Sequence, residues 1–149
     1  MRKFTVTAAL LGLTALGVVV PATTSQAADS AVRGPGCDSK WGARNGNMYA
    51  WDFQDCQGDP IIVDAGNSDN WGNASNRASS VMNRGFTGNN AIVKFYYLTG
   101  RGGGHTCLLP GELYADNLTD NTFTNNITVD NNIMSHQWVN RDACGTLLT

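Results

Sequence analysis

Glutamate is nearly missing from this chain of 149 residues, Glu112 being the only one, and just three lysines and two histidines are present. No His-Glu-x-x-His pair, Gly-x-Ser-x-Gly turn or phosphate-binding glycine loop occurs, which removes the familiar metallohydrolase, serine-hydrolase and nucleotide-dependent designs. A Ser/His/Asp set can be drawn from Ser79, His105 and Asp52, but any chain of this size allows such a set, and no enzyme is expected. There is no basic run and no block of like charge, which argues against nucleic acid or an anionic membrane as partner. No Cys-x-x-Cys pair is present, and only His105 and His136 could supply imidazoles, so zinc has no recognisable site.

Long apolar runs are absent except at the start. Arg2 and Lys3 precede an apolar stretch over 8–20, and Ser25-Gln26-Ala27 offers small residues where a signal peptidase reads. This is the layout of a secretory signal peptide over 1–27. The run falls short of the roughly 20 residues that a spanning helix needs, so a secreted, extracellular protein is expected. Removing 27 of 149 residues leaves 122, enough for one small domain. Losing Arg2 and Lys3 turns ten basic residues into eight against twelve acidic, a net charge of about −4. Cys37, Cys56, Cys107 and Cys144 all lie beyond the cut. An even count in an exported chain reads as two disulfides, with three pairings open, each bridge contributing on the order of 3 kcal/mol. Residues 28–47 contain Gly34-Pro35-Gly36 and read as an irregular arm pinned by Cys37, with Trp41 as a packing anchor.

From Met48 onward no 3.6-residue periodicity persists. Short β-branched and aromatic runs alternate with Gly/Asn/Asp clusters instead, the pattern of an all-β domain over 48–149. Strands are expected over 47–53, 61–64, 78–83, 91–98, 105–109, 126–129 and 135–140. In 91–98, Val93, Phe95 and Tyr97 can line one face, and Ile92, Lys94, Tyr96 and Leu98 a wetter one. Roughly eight strands in about 100 residues fit a two-sheet sandwich with Greek-key connections. Asparagine crowds the loops, where it tolerates left-handed backbone and bonds nearby N–H groups; Asn73, Asn117 and Asn126 also stand in glycosylation acceptor patterns. The order of features in 48–84 returns in 91–141, which suggests two copies of one unit. If the copies are separate units, Cys37–Cys56 and Cys107–Cys144 is the economical pairing.

Particular residues sharpen this. Trp51 and Gly58 keep an aromatic-to-glycine spacing that Tyr97 and Gly104 repeat. Ser75-Asn76-Arg77-Ala78-Ser79-Ser80 is echoed by Asp130-Asn131-Asn132-Ile133-Met134-Ser135. These blocks resemble the two signatures of a βγ-crystallin Greek key. With the export signal and Asn76-Arg77-Ala78-Ser79-Ser80-Val81, the chain resembles the I36 peptidase-inhibitor family, named for a secreted metalloproteinase inhibitor of crystallin-like fold. The resemblance implies two Greek keys in a disulfide-stabilised β-sandwich and inhibition of an extracellular protease. It also implies calcium at Asn76, the Arg77 carbonyl, Ser79, Asp130, Asn131 and the Asn132 carbonyl, all hard oxygen donors. Ser75 and Met134 depart from the ligand pattern, so no cofactor is required and calcium is an optional, weak ligand.

For an inhibitor, the expected contact is a rigid loop over 99–109. Gly102, Gly103 and Gly104 would shape it, His105 would approach a protease zinc, Cys107 would staple it and Leu108 would fill a hydrophobic pocket. Residues 64–71 are the competing loop. An extracellular glycan- or calcium-binding module is the alternative, with Trp51, Trp71 and Trp138 as stacking faces; a small antimicrobial toxin on the same fold is a third reading. A monomer is expected.

Overall fold

The structure is a computed structural model that describes residues 34–149; the expected signal peptide and the start of the arm lie outside the described residues. The chain enters through α1 (Pro35–Lys40), so the arm is not wholly irregular. Proline in the first helical turn has the right φ and lacks only an N–H that the helix would leave unpaired, which is why Gly-Pro-Gly starts a helix here. Asp55 Oδ1 accepts the N–H groups of Gly36 and Cys37 at 2.9 and 3.1 Å, satisfying donors that open the helix.

Seven strands follow: β1 (Asn47–Trp51), β2 (Ile62–Asp64), β3 (Ser80–Arg84), β4 (Ile92–Leu98), β5 (Gly102–Leu108), β6 (Tyr114–Ala115) and β7 (Ser135–Val139). They form two antiparallel sheets, ordered β2-β1-β3-β6 and β5-β4-β7. β3, the last strand of the first half, lies beside β1, and β7 lies beside β4 in the same way. The middle of each half crosses over. Ser68 bridges His136 on the second sheet, while β6 pairs with β3 on the first.

Alternation places the core. Met48, Ala50 and Val81 from one sheet meet Val93, Phe95 and Leu108 from the other, with Trp71, Leu118, Phe123 and Ile133 closing the ends. The opposite faces carry a smaller cluster each. Cys37, Trp51, Cys56, Met82 and Tyr114 pack together on the outside of the first sheet. Ile92, Cys107 and Val139 pack with Leu147 on the outside of the second. The bridges are Cys37–Cys56 and Cys107–Cys144, so each staples its own half on the outer side.

Two strand expectations change, one holds in part and one strand was not foreseen. The face of β4 expected to be wetter is the wetter one, with Leu98 exposed and Lys94 half-buried against the fully buried Val93 and Phe95, although Ile92 and Tyr96 are covered and the Lys94 ammonium donates to the Ala143 carbonyl at 2.5 Å. Residues 126–129 form no strand; a single bridge joins Thr122 to Thr128, and Val129 turns into the core. β5 begins at Gly102, not at residue 105, because three glycines that suggest a loop continue the ladder after a register shift between Tyr96 and Leu98. β6 has two residues and no alternation long enough to read.

Candidate functional site

The two halves share a clamp that the pattern of aromatics and glycines only hinted at. Ser80 Oγ donates to the Phe53 carbonyl at 2.7 Å and accepts the Cys56 N–H at 3.0 Å. Ser135 Oγ donates to the Leu98 carbonyl at 2.6 Å and accepts the Arg101 N–H at 3.2 Å. Both serines are fully buried and each closes a short 3-10 turn, Gln54–Cys56 or Thr99–Arg101. The left-handed residues coincide: Asp55, Cys56 and Gly58 (φ 56, 51 and 77°) against Gly100, Arg101 and Gly103 (φ 66, 60 and 72°). Trp51 and Gly58 therefore correspond to Tyr96 and Gly103, one residue earlier than the expected Tyr97 and Gly104.

The signature blocks, expected to supply calcium ligands, lie side by side. The Asn76 N–H donates to the Ile133 carbonyl and the Asn131 N–H to the Ala78 carbonyl, both at 2.9 Å. Asn76 and Asn131 are both left-handed, at φ 59 and 56°. The guanidinium of Arg77, whose carbonyl is the expected ligand, pairs with Asp52, which holds its pKa above the ordinary value, and also donates to the Asn73 carbonyl at 3.2 Å. Ser79 is buried, and its backbone links Trp51 to Leu118. Asp130 Oδ2 accepts from Asn131 Nδ2 at 2.8 Å, the Asp130 carbonyl accepts from Asn132 Nδ2 at 3.0 Å, and Asp130 Oδ1 is buried with no hydrogen-bond partner. Among the described residues, no cluster of three or more His, Cys, Asp or Glu side chains could hold a metal ion.

The expected inhibitory loop is mostly strand. Only Thr99, Gly100 and Arg101 form an exposed turn, with Arg101 paired to Asp69 at 2.6 Å. Gly104, Cys107 and Leu108 are buried in β5, and Leu108, 0 % exposed, belongs to the central core. It cannot enter a protease pocket, because alternation along β5 turns it inward. His105 packs against Tyr96, and burial first, then the Lys94 charge, lowers its pKa. Gly102 and Gly103 remain at the hairpin edge.

The equivalent turn in the first half presents a larger apolar side chain than Leu98, which is exposed at the matching position of the second. Phe53 is 63 % exposed and extended, at φ −108° and ψ 155°. Ser80 grips its carbonyl, Asp52 before it is held by Arg77, and Cys56 after it is bridged to Cys37. The sequence places Phe53 at the end of an expected strand, and the serine that stiffens the turn lies more than twenty residues away.

Of the three tryptophans expected as stacking faces, Trp51 and Trp71 are buried, whereas Trp138 is half-buried and lines a surface cavity. Trp71 Nε1–H donates to His136 Nδ1 at 2.8 Å. Because an indole only donates, that bond leaves the imidazole proton on Nε2, which donates to the Gly66 carbonyl at 3.0 Å. Burial lowers the His136 pKa, opposed by Asp64 at 3.6 Å and by the Gly66 hydrogen bond. His136 thus ties the exchanged segment at 64–71 to β7. The fold and its paired turns define an all-β, two-sheet, doubly disulfide-bonded protein. No family model matches the chain, and comparison with curated proteins and with solved structures finds no match.

Proposed function

We propose that the chain is an exported double Greek-key protein of the βγ-crystallin type that inhibits an extracellular peptidase, with the turn at 53–56 as its contact. The fold reading is supported by the return of β3 beside β1 and of β7 beside β4, the defining move of a Greek key. The pairing of each signature block with its counterpart supports it further. Export is supported by two disulfides.

One observation carries the inhibitory reading: an exposed phenylalanine on a turn whose two ends are fixed by Ser80 and by the Cys37–Cys56 bridge. A turn fixed before contact loses little freedom on binding, so its apolar area converts more fully into affinity. Extended backbone at Phe53 offers a substrate-like approach. Left-handed Asp55 and Cys56 then curl the chain away, so a peptidase can seat the ring without drawing a cleavable strand through its cleft. The test is titration of metallo- and serine peptidases that favour large apolar side chains, with Phe53→Ala as the control variant. Failure of every peptidase to slow at micromolar protein, about −8 kcal/mol of binding, overturns the proposal.

Calcium is a second reading, carried by the buried, partnerless Asp130 Oδ1. A cation there would be held by Asp130, Asn131, Ser79 and the Asn132 carbonyl. With one carboxylate in that set and Met134 in a ligand position, affinity is expected only at millimolar calcium.

A further inference from the structure

A surface cavity of about 380 Å³, which includes no residue of the turn at 53–56, is lined by Asn67, Phe86, Asn89, Asn90 and Trp138 together with four small residues. We propose that this cavity is a binding site for neutral saccharides, an activity separate from peptidase inhibition.

The volume lies within the roughly 300–1,000 Å³ of small-molecule sites. None of its nine lining residues carries a charge. A phosphate, a uronate or an amine would leave water without a counter-charge to replace its hydration, so the cavity selects against charged ligands. What it offers is two aromatic rings and three carboxamides. Sugars match that pair of features: their C–H faces pack on rings, and their hydroxyls both donate and accept, as an amide does.

Both rings are seated by glycines. A Cβ on Gly85 would come within 2.4 Å of the Trp138 ring, and one on Gly46, at φ 86°, within 3.0 Å of Phe86. Their absence lets each ring lie close against backbone. Phe86 is nonetheless 67 % exposed, a large apolar surface facing water beside the cavity. The amides are set in a similar way. Asn67 Oδ1 accepts the Trp138 N–H at 2.8 Å, which fixes that side chain and leaves Nδ2 with no hydrogen-bond partner among the described residues. Asn140 Oδ1 accepts the Asn90 N–H at 2.8 Å and holds the loop carrying Asn89 and Asn90. Neither of those two side-chain amides has a hydrogen-bond partner among the described residues. Asn90, at φ 53°, takes the left-handed turn conformation that asparagine tolerates, and the exposed side-chain amides of Asn89 and Asn90 face outward where a ligand can meet them.

The test is a two-dimensional amide NMR titration of the intact protein. The probes are cellotriose, chitotriose, xylotriose, maltotriose and laminaritriose at up to about 10 mM, with trigalacturonate as the charged control. At least one neutral trisaccharide should shift the side-chain amides of Asn67, Asn89 and Asn90 and the Trp138 indole, while trigalacturonate leaves them in place. Phe86→Ala, which removes an exposed ring, should weaken that binding about tenfold or more with no change in melting temperature, whereas Phe53→Ala should leave it unaltered. The proposal is overturned if no neutral trisaccharide moves these signals, if trigalacturonate binds equally well, or if Phe86→Ala binds as tightly as the parent.

Discussion

His136 gives the fold a pH dependence whose sign can be worked out from its neighbours. The residue is 0 % exposed, and as a neutral ring it accepts from Trp71 and donates to Gly66. Protonation would place an N–H on Nδ1 facing the indole N–H, donor against donor, and would charge a group taken out of water; Asp64 at 3.6 Å compensates only in part. The folded pKa is therefore lowered below the usual value, so in acid the unfolded chain binds the proton more readily than the native one. The stabilisation from neutral His136 is complete above the unfolded pKa of about 6.5 and is lost as pH falls toward the folded pKa. One such site changes stability by at most about 1.4 kcal/mol per pH unit, so between about pH 6.5 and about pH 5 the loss is up to about 2 kcal/mol. His105, also lowered by burial, adds to it in the same direction. Urea unfolding at several pH values measures the slope. His136→Asn keeps an acceptor for Trp71 and cannot titrate, so its stability should fall less steeply across that window. Equal slopes for the parent and His136→Asn would refute the argument, whatever their absolute stabilities.

Other outcomes follow from single contacts. Ser80→Ala strands the Phe53 carbonyl and the Cys56 N–H, and Ser135→Ala does the same to Leu98 and Arg101. Each should cost about 1–3 kcal/mol in chemical denaturation, and a cost near zero would show that water replaces the hydroxyl. Replacing Cys107 and Cys144 together releases a crosslink of sequence separation 37, against 19 for Cys37–Cys56. The chain-entropy relation gives losses of about 4 and about 3 kcal/mol, and the order of the two is checked by thermal melts of the double alanine variants. Asp130→Asn removes the charge from a buried oxygen without a donor. It should abolish any rise in melting temperature caused by millimolar calcium, and a calcium response surviving in this variant would place the ion elsewhere.

Strands with clear alternation were legible in the sequence: β1, β2, β3, β4 and β7 lie within a residue or two of their expected bounds. What failed were features decided by distant partners. Pro35 begins a helix because Asp55 satisfies its first donors, and 126–129 turns instead of pairing because Val129 is drawn into the core. Leu108 looked available because glycines precede it, yet strand parity sends it inward. Asn76 and Asn131 were recognised as equivalent, but their mutual packing comes from the crossing of the two halves, which no local pattern encodes. The cavity beside Trp138 was invisible for the same reason: its walls come from four separate stretches of chain.

The central claim is that a rigid turn displaying Phe53 inhibits a peptidase. Its most direct test is the inhibition constant of the parent and of Phe53→Ala against the same peptidase panel. The parent should inhibit at or below micromolar concentration. A buried aromatic anchor is worth about 2 kcal/mol or more, so Phe53→Ala should be weaker by about 30-fold or more with an unchanged melting temperature. Equal potency of the two proteins, or no inhibition by either, would contradict it.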